Sequence, residues 1–211
     1  MVITIGGRYG SGGKRIAEKL AELLGYRLCD DEIIAEAVKN SGVDMKEETF
    51  RYFDESMGTG SVSEINTISS IQRSGFVGTV DSLSFDVMPM DRRLELALQE
   101  VLTSLADKGN CILMGRCADH YLAGRKDMLS VFVVDEEENC VKRIMEHFPE
   151  LNEREARRLI KKTDKRREDY YSFFTRKSWG DVNNYAVTLN CALLGSADRA
   201  AELLAGMIRI A

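Results

Sequence analysis

Four glycines fall within seven residues in Gly7-Arg8-Tyr9-Gly10-Ser11-Gly12-Gly13, and two basic residues, Lys14 and Arg15, follow at once. Binding a polyphosphate requires backbone N–H groups that converge on one concavity. Glycine reaches the positive-φ geometry this needs without a Cβ clash. A helix beginning there adds unpaired N–H donors and the positive end of its dipole. Gly7, Gly10, Ser11, Gly12, Gly13, Lys14 and Arg15 are therefore the candidate phosphate-binding residues. Their spacing departs from G-x-x-x-x-G-K-[ST] at one point. With Gly7 and Gly12 as the framing glycines, Gly13 occupies the lysine position and Lys14 the hydroxyl position. Lys14 thus comes one residue late, about 100° further round the helix. Two solutions are open: the loop bulges so that Lys14 or Arg15 reaches the phosphates, or basic groups from elsewhere replace the lysine. The competing reading is a glycine-rich turn with no ligand.

A second concentration of charge runs from Arg154 to Arg167, where basic residues outnumber acidic ones although the whole chain has a net charge of −5. Arg158, Lys162 and Arg166 are spaced i, i+4, i+8 and share a helical face. Cations fixed in advance stabilise the negative charge that spreads over phosphoryl oxygens during transfer. The same residues also read as a solvated face paired with Glu155, Asp164, Glu168 and Asp169. Asp30 and Asp31 follow a short apolar run, where they suit the cap of the following helix. Arg116 follows Met114-Gly115 at the end of another apolar run, and open α/β sheets bind ligands at that edge.

Positioning these groups falls to a regular alternation of elements. Val2 to Ile5 reads as a buried strand, and Gly13 to Leu24 has helical apolar spacing with Gly25 as its stop. Tyr26 to Cys29 is a second strand, followed by a helix from about Asp30 with an acidic first turn. From about Met57 to Met90 the pattern weakens among glycines, serines and threonines, and this stretch reads as flexible and lid-like. A helix is expected from about Asp91 to Lys108, ended by Gly109. Cys111 to Met114 and Leu129 to Val134 are further strands, with a helix opening at Asp135 to Glu138. A charged helix spans about Asn152 to Phe174, Tyr185 to Leu189 is a fifth strand, and Ala197 to Ile208 a closing helix. Strands separated by helices imply a parallel sheet covered on both faces.

Composition narrows the function classes. A 44% hydrophobic and 30% charged chain of 211 residues is ordinary for a globular domain. The acidic balance argues against general nucleic-acid binding, which needs a broad basic face. No apolar run is long enough to span a bilayer, and the N-terminus lacks the basic region of a secretory signal. Five scattered cysteines without a C-x-x-C pair fit reduced thiols. The expected location is cytoplasmic, with no membrane or nucleic-acid partner. His120 and His147 are not spaced as a ligand pair, so no metal site is assigned.

Several separated segments together resemble the cytidylate kinase-like family of P-loop nucleoside monophosphate kinases. They are Ile3-Thr4-Ile5 with Tyr9-Gly10-Ser11-Gly12-Gly13, then Gly115-Arg116-Cys117-Ala118-Asp119, and Trp179-Gly180-Asp181 with Asn184-Tyr185. The resemblance implies an α/β, P-loop NTPase-like three-layer fold: a five-stranded parallel sheet with helices on both faces and mobile lid and acceptor-binding segments. It implies one domain over 1–211, with a core of about 1–45 and 91–211, an acceptor-binding insertion of about 46–90 and a lid of about 152–178. The implied reaction moves the ATP γ-phosphate to a nucleoside monophosphate, CMP-like in preference, with Mg²⁺ held by phosphates and water. Lys14, Arg166 and Arg167 become the candidate catalytic cations. Asp30, Arg116 and Asp119 become the candidate acceptor contacts, Cys117 standing where the family's G-R-D motif has aspartate. Two other functions remain open: a nucleotide-binding regulatory module, and a kinase for a different small phosphate acceptor.

Overall fold

The computed structural model describes residues 1–41 and 92–210. The acceptor-binding insertion expected at about 46–90 lies outside the described residues. In chain order the elements are β1 (Val2–Gly7), α1 (Gly13–Leu24), β2 (Arg27–Cys29), α2 (Asp31–Ser41), α3 (Arg92–Asp107) and β3 (Cys111–Met114). There follow α4 (Ala118–Tyr121), β4 (Met128–Val134), α5 (Glu137–His147), α6 (Glu153–Thr175), a 3₁₀ turn (Val182–Asn184), β5 (Val187–Asn190), α7 (Cys191–Leu194) and α8 (Ala197–Ile210).

The five strands form one sheet in the order β2-β3-β1-β4-β5, and every pairing is parallel. Parallel strands buried on both faces need apolar residues at successive positions rather than strict alternation, and Cys111-Ile112-Leu113-Met114 is buried throughout. The two-residue period still decides which helices each side chain meets. Ile3, Ile5, Ile112, Val131 and Val133 pack with Ile16 and Leu20 of α1 and with Ala201 and Leu204 of α8. Val2, Cys111 and Leu113 face the other way, onto Ile33 of α2, Leu98 and Leu102 of α3 and Tyr170 of α6. The architecture is therefore the three-layer P-loop NTPase fold.

A third cluster sets the site. Cys140, Val141 and Ile144 of α5 pack against Ala156, Leu159 and Ile160 of α6, with Tyr9 from the glycine-rich loop between them. The basic helix is thereby held against the loop by apolar contact, independently of its charges. Its start is well defined: Asn152 accepts from the Glu155 amide at 3.1 Å, and Glu155 accepts from the Asn152 amide at 3.0 Å, a reciprocal capping box. All five cysteines are buried and outside any disulfide. Among the described residues no helix is long and apolar enough to cross a membrane.

Candidate active site

The glycine-rich loop leaves β1 at the carboxyl edge of the sheet. Arg8 N donates to Val133 O at 3.0 Å, and Ser11 N closes a turn onto Arg8 O at 3.1 Å. Gly10 and Gly12 adopt φ of +77° and +90°, a conformation costly for residues with a Cβ. Gly12 caps α1, whose first backbone bond runs from Ile16 N to Gly12 O at 3.0 Å. The amides of Gly13, Lys14 and Arg15 consequently have no partner within the helix and stand at its mouth. Among the described residues the buried Ser11 hydroxyl has no hydrogen-bond partner.

This loop floors a cleft of about 260 Å³ lined by Gly7, Gly10, Ser11, Gly12, Gly13, Lys14, Arg116, Asp119 and Arg167 among the residues singled out from sequence. Arg15 is placed elsewhere. Its guanidinium makes a bidentate pair with Asp198 of α8, at 2.7 and 2.9 Å, on the protein surface. Arg166, half-buried, is also not part of the cleft wall. Arg167, one residue on, donates to Gly7 O at 3.0 Å, and its guanidinium lies 5.3 Å from the centre of the Tyr9 ring. Asp164 of the same helix accepts from the Tyr9 amide at 2.7 Å. The helix is thus hydrogen-bonded directly to the loop backbone.

Sequence reasoning passed over Arg143. This α5 residue donates to Gly10 O at 2.6 Å and forms an ion pair with Asp135. Asp135, buried at the end of β4, also accepts from the Glu136 amide at 2.8 Å and from Asn139 at 2.9 Å. Burial opposes its ionisation, but these bonds from Asn139, Arg143 and the amide prevail and hold its carboxyl below the ordinary range. Nothing local in α5 marks Arg143. The only available signal was an aspartate ending a strand with an arginine two turns later.

After β3 the chain makes a strained turn. Gly115, Arg116 and Cys117 have φ of 60°, 60° and 53°. Two consecutive non-glycine residues in this region cost roughly 1–3 kcal/mol each. The turn drives Arg116 into the interior, where its side chain is fully buried and 3.8 Å from Asp30. Asp30 is also 3.4 Å from Lys14. The remaining wall is aromatic: Trp179 meets the Phe132 ring edge-on at 5.3 Å, and Tyr185 lies 4.8 Å from the same ring. Tyr171 donates to Asp119 at 2.7 Å.

Burial pushes the Asp119 carboxyl above its ordinary range, although the Tyr171 hydroxyl pulls the other way. A carboxyl raised in this way binds more protons folded than unfolded, so its contribution to stability declines as pH rises from about 3.9 through the folded value. Asp119→Asn keeps an acceptor for Tyr171 and removes the titration. It is expected to flatten the fall in Tm above about pH 3.9 relative to wild type, measured by calorimetry across a pH series. Parallel Tm curves for the two proteins would remove Asp119 as the cause.

Among the described residues no three ligating side chains cluster as a metal site. The nearby carboxylates are engaged: Asp30 by Lys14 and Arg116, Asp135 by Arg143, Asp164 by the Tyr9 amide. Magnesium ions keep water and bind phosphates readily, so a magnesium ion arriving with a phosphate ligand would need none of these carboxylates.

Comparison with known proteins adds to this geometry. No match was found among curated proteins. A crystal structure of a protein from Eubacterium ventriosum, described as uncharacterized, superposes with a TM-score of 0.67 at 21% identity, covering 99% of this chain and 98% of that one. TT1252 from Thermus thermophilus gives a TM-score of 0.54 at 17% identity, over 100% and 98% of the two chains. Shikimate kinase from Acinetobacter baumannii, in complex with shikimate, gives 0.49 at 15%, over 98% and 92%. The first two share the fold. The cytidylate kinase-like family model matches residues 2–192, nearly the whole chain. With the glycine-rich loop, the strained Gly115-Arg116-Cys117 turn and the arginine-bearing helix all inside that match, the chain belongs to the cytidylate kinase-like family.

Proposed function

We propose that this protein is a kinase that transfers the ATP γ-phosphate to a nucleoside monophosphate, CMP being the first acceptor to test. One observation supports this above the others: Lys14, Arg116, Arg143 and Arg167 all border a single cleft whose floor is the open end of α1. In phosphoryl transfer the acceptor oxygen attacks the γ-phosphorus as the bond to the ADP oxygen breaks. Charge spreads over the equatorial oxygens, and catalysis consists of positioning and electrostatic stabilisation.

In this reading Gly10 to Gly13 cradle the ATP phosphates through their amides. Arg167 and Lys14 supply charge during transfer, and Arg143 offers a further guanidinium beside Gly12. Arg116 grips the acceptor phosphate, with Asp119 and the aromatic wall on the nucleoside side. The segment 152–178 acts as the lid, and a cytoplasmic location accords with five reduced thiols.

The test is turnover of purified protein with ATP and Mg²⁺ against a panel of nucleoside monophosphates and other small phosphate acceptors. ADP release that depends on a monophosphate is expected. ATP binding with no turnover on any monophosphate would sink the proposal.

A further inference from the structure

The displaced lysine has a defined place. Lys14 extends from the first turn of α1 until its ammonium is 3.4 Å from Asp30 Oδ2, and Arg116 approaches Oδ1 of the same carboxylate at 3.8 Å. One anion therefore faces two cations, one from the donor loop and one from the strained turn after β3. The pairing of Cys29 with Leu113 puts the ends of β2 and β3 side by side, which brings Asp30 to the Arg116 turn. Lys14 and Arg116 form part of the cleft wall, whereas Asp30 does not. The carboxylate lies beneath Lys14 and beside the fully buried Arg116: its side chain is 11% exposed, against 45% for Lys14 and 0% for Arg116.

We propose that Asp30 is a positioning residue: it draws Lys14 toward Arg116, so that the ammonium serves the junction between donor and acceptor phosphates. This rests on the phosphotransfer reading above, and it changes the role expected for Asp30 from a direct acceptor contact to a group acting through Lys14. A lysine at position 13 would rise from the loop itself. At position 14 it starts about 100° away, and an anion on the far side supplies the missing aim. Asp30 also competes with phosphate for both cations, which keeps the pair together while the cleft is empty.

The experiment pairs Asp30→Asn with Lys14→Met. Removing the anion shared by two cations should tighten binding of inorganic tripolyphosphate about threefold or more, measured by titration calorimetry, because their charge is no longer drawn to it. It should also lower kcat about tenfold or more with little change in acceptor KM, and this loss should shrink below about threefold in the Lys14→Met background. Unchanged or weaker tripolyphosphate binding, additive losses in the double variant, or a rise in acceptor KM alone would overturn the assignment. A merely structural role would weaken tripolyphosphate binding and turnover together. If wild type turns over no acceptor, the kinase reading falls while the tripolyphosphate arm still decides the role of Asp30. Should Asp30→Asn not fold, Asp30→Glu retains the charge but shifts it by one methylene. Tripolyphosphate affinity should then stay within about twofold while kcat falls about fivefold, and undiminished kcat would refute the idea.

Discussion

Arg167→Ala is expected to lower kcat by about 10²–10³-fold while changing ATP affinity less than about tenfold. The guanidinium is fixed before any nucleotide arrives, by its bond to Gly7 O and its place over the Tyr9 ring. A cation already in place needs no reorganisation as charge develops, which is why such groups act more on the transition state than on binding. Arg167→Lys should recover little, because an ammonium cannot both bond Gly7 O and present a planar face to Tyr9. Arg166→Ala is the internal comparison. Its side chain is not part of the cleft wall, so turnover should stay within about threefold of wild type. Steady-state kinetics beside calorimetric ATP titration separates the two effects. Equal losses at Arg166 and Arg167 would return this part of α6 to an ordinary helix surface.

Gly7→Ala is the second large effect: ATP binding should be lost, and stability should fall by about 2–3 kcal/mol. A Cβ at this position would sit 2.7 Å from Val133 O, 3.1 Å from Val133 Cβ and 3.2 Å from Ser11 Oγ. Gly7 and Val133 are register partners in the parallel pairing of β1 and β4, so neither backbone can withdraw without parting the strands. For a domain of this size the cost corresponds to a Tm drop of roughly 4–12 °C. Gly109→Ala provides the contrast. Gly109 also has a positive φ of 68°, but no atom lies within 4 Å of its added Cβ. It should cost about 1–2 kcal/mol for the left-handed backbone and leave ATP binding unchanged. Wild-type ATP affinity in Gly7→Ala would mean that the loop is not the phosphate cradle.

Legibility in the sequence tracked how local each determinant is. Gly25 and Gly109 end helices with φ of 66° and 68°, and a glycine after periodic apolar residues announces that geometry directly. Cys111 to Met114 was readable to the residue because buried parallel strands are short continuous apolar runs. Strand β5 was placed two residues early, since Tyr185 has strand-like chemistry but packs its ring on Phe132 as the chain leaves the 3₁₀ turn. The helical phase near position 14 was correct, yet phase alone could not tell that Arg15 would be taken by Asp198, 183 residues away. Arg143 was missed for the same reason. Its partner Asp135 is eight residues away, but Gly10 meets it only through the packing of α5 against the loop. Likewise Asp164 looked like one more acid on a charged helix, and only the fold brings it to the Tyr9 amide.

The unbroken course of α6 has a mechanical corollary. Its 23 residues, at about 1.5 Å each, make a rod about 35 Å long. Mid-rod, Asp164 and Arg167 grasp Tyr9 and Gly7, while Tyr170 and Tyr171 one turn later line the same cleft, Tyr171 bonded to Asp119. A rigid rod cannot tilt at one station and stay still at the next. Any swing that widens the tyrosine end must tug on the loop's amide and carbonyl, so in the proposed reaction admission of the acceptor would be geared to the seating of the nucleotide.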